Sequence, residues 1–238
     1  MHQIIISDIT IDVVRKEIKN LHLSVNPPDG KVKISSPLRI DDEVLRLFAV
    51  SKLSWIRKQK KKFKSQVRQS SREFLSRESH YFLGKRYLLN VIEHNAPPKV
   101  VLRSKTYIDL YLRNGSTQFQ KGKILNDWYR SELKKHIPLL INTWQQKIGV
   151  TVNDWGVKQM KTKWGSCNIK AKRIWINLEL AKKPFQCLEY IIVHEMVHLL
   201  ERHHNERFIT YMNKFIPQWR SHRDELNQFP ISHSNWSY

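Results

Sequence analysis

Cysteine is nearly missing from this 238-residue chain: there are two, Cys167 and Cys187, and they form no CxxC pair. That excludes a disulfide framework and a cysteine-built zinc site. No apolar run approaches the ~18 residues that cross a bilayer. The opening MHQIIISDIT holds an apolar run too short for the core of a secretion signal. These absences point to a cytoplasmic protein in a reducing compartment, with no membrane partner. There is no GxxxxGK[ST] phosphate loop and no second carboxylate cluster of the kind two-metal sites use. Internal repeats and long Gly/Ser- or Pro-rich linkers are also absent. Acidic residues are scarce, 21 against 42 Lys plus Arg, for a formal charge of +21. Such an imbalance favours polyanions, so nucleic acid or nucleotide is a candidate partner through the basic surface. General solubility is the plainer alternative.

What is present is the composition of a globular chain, 40% hydrophobic and 11% aromatic, long enough for one large domain or two modest ones. The pattern reads as α+β. Residues 1–115 form a β-rich region with one long basic helix. LHLSV and KVKIS alternate around NPPDG and predict a hairpin. RIDDEVLRLFAVSKLSWIRKQKKKF predicts a helix capped at Asp41 or Asp42, with Val44, Leu47, Phe48 and Trp55 on its apolar face. Its cationic end is either a nucleic-acid contact or a solvated C-terminus favoured by the helix dipole. YFLGKRYLLNVIE predicts a hairpin around Gly84-Lys85, and TYIDLYLRNG a strand ending in an Asn-Gly turn. From 116 to 238 the chain turns more helical. KILNDWYRSELKKHIPLLINTWQQKIG predicts a helix bent or interrupted near Pro138. TVNDWGVKQMKTKWGSCN and RIWINLELA read as strands. Pro184 opens a helix, Asn205 another, and Pro217 a last one.

The stretch YIIVHEMVHLLERHHNERF carries the chemistry. His194 and His198 are four apart, so on a helix they share one face and can offer two nitrogens to one ion. Glu195 flanks them without having to ligate, where it can take a proton from an activated water and pass it on. Composition alone predicts on the order of 0.03 HExxH matches in such a chain. The helix is apolar on nearly all sides, and polar groups in a buried helix need partners that a metal supplies. Candidates for a third ligand are Glu201, His203, His204 and Glu206. Asn205 is a good N-cap for ERFITYMNKF, which favours His204 as the residue turned back toward the first helix. Residue chemistry alone leaves that choice open.

From Lys161 to Phe208 the chain resembles the YgjP-like metallopeptidase family, relatives of the SprT-like and other small zincins. The resemblance is carried by KWGSC at 163–167, Asn177 in WINLEL, Tyr190, HEMVH at 194–198, His204 and Phe208. DGKVKISSP, the Trp55-Ile56 pair and FLGKRY match more loosely. The resemblance implies a minimal zincin-like α+β catalytic domain with an HExxH active-site helix. It implies Zn2+ held by His194, His198 and His204, with Glu195 as the catalytic base, and its register favours His204 over His203. There are departures. Lys163 stands where arginine is common, replacing a planar fork with a point charge. Asn205 stands where serine is common. Glu201 stands where metzincins have glycine, so their turn is not implied.

Around the motif, Lys163, Trp164, Gly165, Ser166 and Asn177 are candidate substrate-lining residues, because in zincins the strand beside the active helix can pair with an extended peptide. Gly165 and Ser166 equally suit a close backbone approach. Cys167 reads as a small buried residue rather than a nucleophile. Tyr190, four before His194, is either core or a donor into the site. His222 and Arg223 are either surface groups or an oxyanion-stabilising cation. The leading function is a zinc metallopeptidase acting on a protein or peptide substrate. The alternatives are a metal-dependent nucleoside triphosphate pyrophosphatase and a protease recruited by nucleic acid through its basic first half.

Overall fold

The computed structural model of the protein describes residues 2–26, 30–65, 72–160 and 163–228. The chain forms two compact units, residues 1–68 and 69–238.

In the first unit, β1 (His2–Ile6), β2 (Ile9–Lys16), β3 (His22–Asn26) and β4 (Lys31–Pro37) make one sheet in the order β1-β2-β4-β3. The expected β3–β4 hairpin forms, with Leu23 opposite Ile34 and Val25 opposite Val32. Alternation in β2 buries Ile9, Ile11 and Val13, and β4 buries Val32 and Ile34. Where one basic helix was expected there are two, α1 (Asp42–Ser51) and α2 (Leu53–Ser65). The break falls at Lys52, whose backbone N–H returns to the carbonyls of Ala49 and Val50. The buried face also differs: Leu45, Ala49 and Ile56 enter the core, while Val44, Leu47 and Trp55 are exposed. Asp41 occupies the N-cap position without a side-chain cap bond, and Asp42 instead pairs with Arg15 at 2.7 Å.

The second unit opens with β5 (Ser79–Phe82), β6 (Lys85–Glu93), β7 (Lys99–Leu102) and β8 (Tyr107–Leu112), in the order β5-β6-β8-β7. Both four-stranded sheets are wired alike, with a parallel central pair and an antiparallel strand on each side. No repeat in sequence accompanies that repeat in topology. The 31-residue α3 (Gln118–Ile148) follows, begun by a Thr117–Gln120 capping box and ended by Gly149 in the left-handed conformation. Leu125, Tyr129, Leu133, Ile137, Ile141, Trp144 and Ile148 recur at helical spacing and are buried, and the helix continues through Pro138. Tyr129 donates to the Tyr81 carbonyl at 2.9 Å, and α3 shares one core with Leu89, Ile108 and Leu110. The sequence boundary near residue 115 therefore falls inside this unit, because the sheet from 79 to 112 and α3 bury each other's apolar faces.

A second, three-stranded sheet is formed by β9 (Asp154–Lys158), β10 (Gly165–Asn168) and β11 (Arg173–Asn177), with β11 in the middle and β10 at an edge. The expected strand RIWINLELA stops at Asn177. Leu178–Lys182 is a 3₁₀ helix, because the Asn177 side chain caps it by accepting from the Glu179 N–H. Then come α4 (Phe185–Val197), α5 (Glu206–Phe215) and α6 (Trp219–Gln228). Pro184 is the N-cap of α4 and Asn205 that of α5. No described helix is long and apolar enough to cross a membrane.

Candidate active site

Helix α4 is buried along almost its whole length and packs on β10 and β11. His194 and Glu195 lie in its last turn and His198 is its C-cap. The chain then reverses, and Asn205 accepts from the Phe208 N–H at 3.0 Å to restart the helix as α5. That reversal brings His204 back to the first two histidines. His194, His198 and His204 each present a ring nitrogen, and all three nitrogens lie within 4.8 Å of one another. His203 is exposed and makes no part of this cluster; its N–H donates to the Glu201 side chain at 3.1 Å.

The hydrogen bonds orient the rings. A carbonyl only accepts, so His198 Nδ1 carries the proton it donates to the Glu201 carbonyl at 3.1 Å, which leaves Nε2 with a lone pair. His194 Nε2 and His204 Nε2 face each other at 3.0 Å. Burial, with His198 and His204 adding to it, holds the His194 imidazole down to about 3, so it is neutral. Burial also lowers His198. Two ring nitrogens this close need a proton or a cation between them. A tetrahedral ion with bonds of ~2.0–2.1 Å sets its nitrogens ~3.3 Å apart, so the facing pair fits such an ion. Phe208, itself buried, lies with its ring centre 5.0, 4.8 and 4.7 Å from those of His194, His198 and His204.

Glu195 is 5% exposed, and burial pushes its carboxyl up to about 8, opposed by the positive charge of Lys163. It lies against Gly165 of β10 so closely that a Cβ there would come 2.6 Å from Oε1. A cavity of about 570 Å3 opens in front of the histidines and Glu195. Of the residues expected to line a substrate site, Lys163, Trp164, Gly165 and Ser166 do line it. Asn177 does not. It is fully buried, accepts from the Met160 N–H, and donates to the carbonyls of Met160 and Lys163 at 2.9 and 2.7 Å. It holds the backbone on which Lys163 stands.

Other groups sort themselves by position. Cys167 reaches the cavity, but burial and then Glu195 push its thiol to about 11, which keeps it protonated and inert. Tyr190 lines the cavity with its ring centre 5.8 Å from that of His194. Arg223 lines it and His222 does not. Arg202 also lines it and was not singled out in the sequence. Its only sequence signal is its place, four residues past His198, in a loop that has to fold back to deliver His204.

The family described as YgjP-like, metallopeptidase domain, matches residues 19–229. No curated protein matches the chain. The match takes in the first unit from β3 onward and the second unit with the whole histidine cluster, and it points to a metal-dependent peptidase acting on a protein or peptide. The chain belongs to the YgjP-like metallopeptidase domain family.

Proposed function

We propose that the protein is a zinc-dependent metallopeptidase with His194, His198 and His204 as metal ligands and Glu195 as the general base. The observation that carries this reading is the convergence of three imidazole nitrogens within 4.8 Å, beside a buried carboxylate and at the floor of a cavity. The donor set is suited to zinc: three imidazole nitrogens, with the side toward the cavity left for water and substrate. Zinc held there supplies Lewis acidity toward the scissile carbonyl and toward water.

The chain's own residues do the rest. A cation beside Glu195 favours its charged form and opposes burial, so the carboxylate is the resting state of the loaded site. Glu195 takes the proton of the attacking water and delivers it to the departing amine nitrogen. Gly165 lets the carboxylate lie flat against β10, and the buried α4 keeps it from turning to solvent. Tyr190 faces the same space and is a donor available to the carbonyl oxygen as charge develops.

The test is Glu195→Gln. The variant retains the shape of the site but cannot accept the proton. Zinc content near one per chain with peptide turnover reduced at least ~100-fold is the expected result. Wild-type turnover in the variant would remove Glu195 from the mechanism. Failure of the wild type to retain zinc would remove the reading altogether.

A further inference from the structure

The charge of the cavity is one-sided, and the reaction above does not use it. Three cationic side chains from three separate places line the space: Lys163 ahead of β10, Arg202 between α4 and α5, and Arg223 on α6. Among the described residues, Glu195 is the only acid in that lining, and it is buried and committed to the reacting water. Lys163 and Arg202 are both exposed, and the positive charge of Lys163 also acts on the buried Glu195. Among the described residues, Arg223 forms an ion pair with its neighbour Asp224 at 2.9 Å, where both side chains are exposed, and lies over the Trp219 ring. Such a surface pair exchanges readily for another carboxylate.

Like charges facing one cavity repel each other, and a bound dication would add to the same sign. The group that relieves this is an anion. Guanidinium forks such as Arg202 and Arg223 match a carboxylate in a plane, and Lys163 supplies a point charge from the strand side. Ile169 and Leu226 stand among the cations and suit the apolar parts of a peptide. A cavity of about 570 Å3 admits a few residues of extended chain and not a duplex. Resting on the peptidase reading and narrowing its substrate, we propose that this cavity selects peptides carrying a carboxylate beside the scissile bond, received by Lys163, Arg202 and Arg223.

The experiment has two readouts on the zinc-loaded full chain. Peptides blocked at both ends and differing only as Glu or Gln beside the bond are compared for kcat/KM. The same peptides, labelled, are titrated against the Glu195→Gln variant by fluorescence anisotropy, so that binding is read without turnover. A third peptide, neutral but with a free C-terminus, tells an internal carboxylate from a terminal one. The expected result is about a tenfold preference for the Glu peptide in both readouts, shrinking as salt rises. Arg202→Glu shrinks the preference for the Glu peptide in both readouts. Equal handling of Glu and Gln peptides overturns the proposal and leaves the peptidase reading standing. Acid-selective binding with no peptide cleaved supports the cationic site and defeats the peptidase reading. Displacement of the labelled peptide by a nucleoside triphosphate or a single-stranded oligonucleotide at lower concentration overturns the peptide assignment.

Discussion

Gly165→Ala tests how tightly Glu195, the proposed general base, is held. The residue sits in β10 and its φ is not in the left-handed region, so alanine fits the backbone without strain. The obstacle is steric. The new Cβ would lie 2.6 Å from Glu195 Oε1, 2.8 Å from Glu195 Cγ and 2.9 Å from Ile191 Cγ2. Ordinary contact begins near 3.4 Å, so the carboxylate has to retreat by about 0.8 Å. Ile191 closes one side and the buried helix the other, which leaves only the cavity. Glu195 would thus move into the cavity, where the proposed mechanism places the scissile carbonyl. A misplacement approaching 1 Å costs up to ~100-fold in rate, and overpacking at a buried contact costs ~1–3 kcal/mol of stability. The assay is kcat/KM on a cleaved peptide, alongside zinc content and a thermal melt. Zinc should be retained, since no histidine is touched. Activity within about threefold of wild type, with zinc and melting unchanged, would refute the claim that Gly165 positions the base.

Three further outcomes are expected. His204→Ala loses stoichiometric zinc while His203→Ala keeps it, read by metal analysis after dialysis; loss from the 203 variant alone would reverse the ligand choice. Asn177→Ala strands the Met160 and Lys163 carbonyls and lowers stability by ~2–3 kcal/mol in urea melts, with zinc content preserved. His80 is 4% exposed and held down to about 4, by burial first and then by Arg72, against the opposing pull of Glu78, so it is neutral when folded and binds a proton more readily when unfolded. Its contribution is complete above pH 6.5 and is lost as pH falls toward 4, amounting to about 2 kcal/mol by pH 5. A wild-type loss between pH 7 and 5 no larger than that of His80→Gln would sink this assignment.

The sequence revealed elements whose signals are local. Alternation on either side of NPPDG marked the β3–β4 hairpin, although residues 27–29 lie outside the described residues. The Asn205 cap marked the start of α5, and i, i+4 spacing paired His194 with His198. Features decided by distant partners stayed hidden. Leu45 and Val44 are both apolar and adjacent, and only the sheet beneath α1 decides which is buried. WINLEL is continuous and apolar enough for a strand, yet the strand stops at Asn177, whose side chain caps a 3₁₀ helix from Leu178. The same residue matches a family motif and therefore resembled a substrate contact, but its bonds run to Met160 and Lys163. Arg202 carries no pattern of its own, and the reversal that delivers His204 delivers it too.

Phe208 gives the site a direction. Its ring is within about 5 Å of all three imidazole centres, yet it takes no part in the cavity wall. Behind the histidines there is hydrocarbon, and in front there is the cavity. An ion held by these nitrogens would have the Phe208 ring at its back and would face the cavity, the space a substrate would enter. A peptide lying in the cavity would then also be the gate on metal exchange, so that occupancy by substrate and retention of the ion rise together.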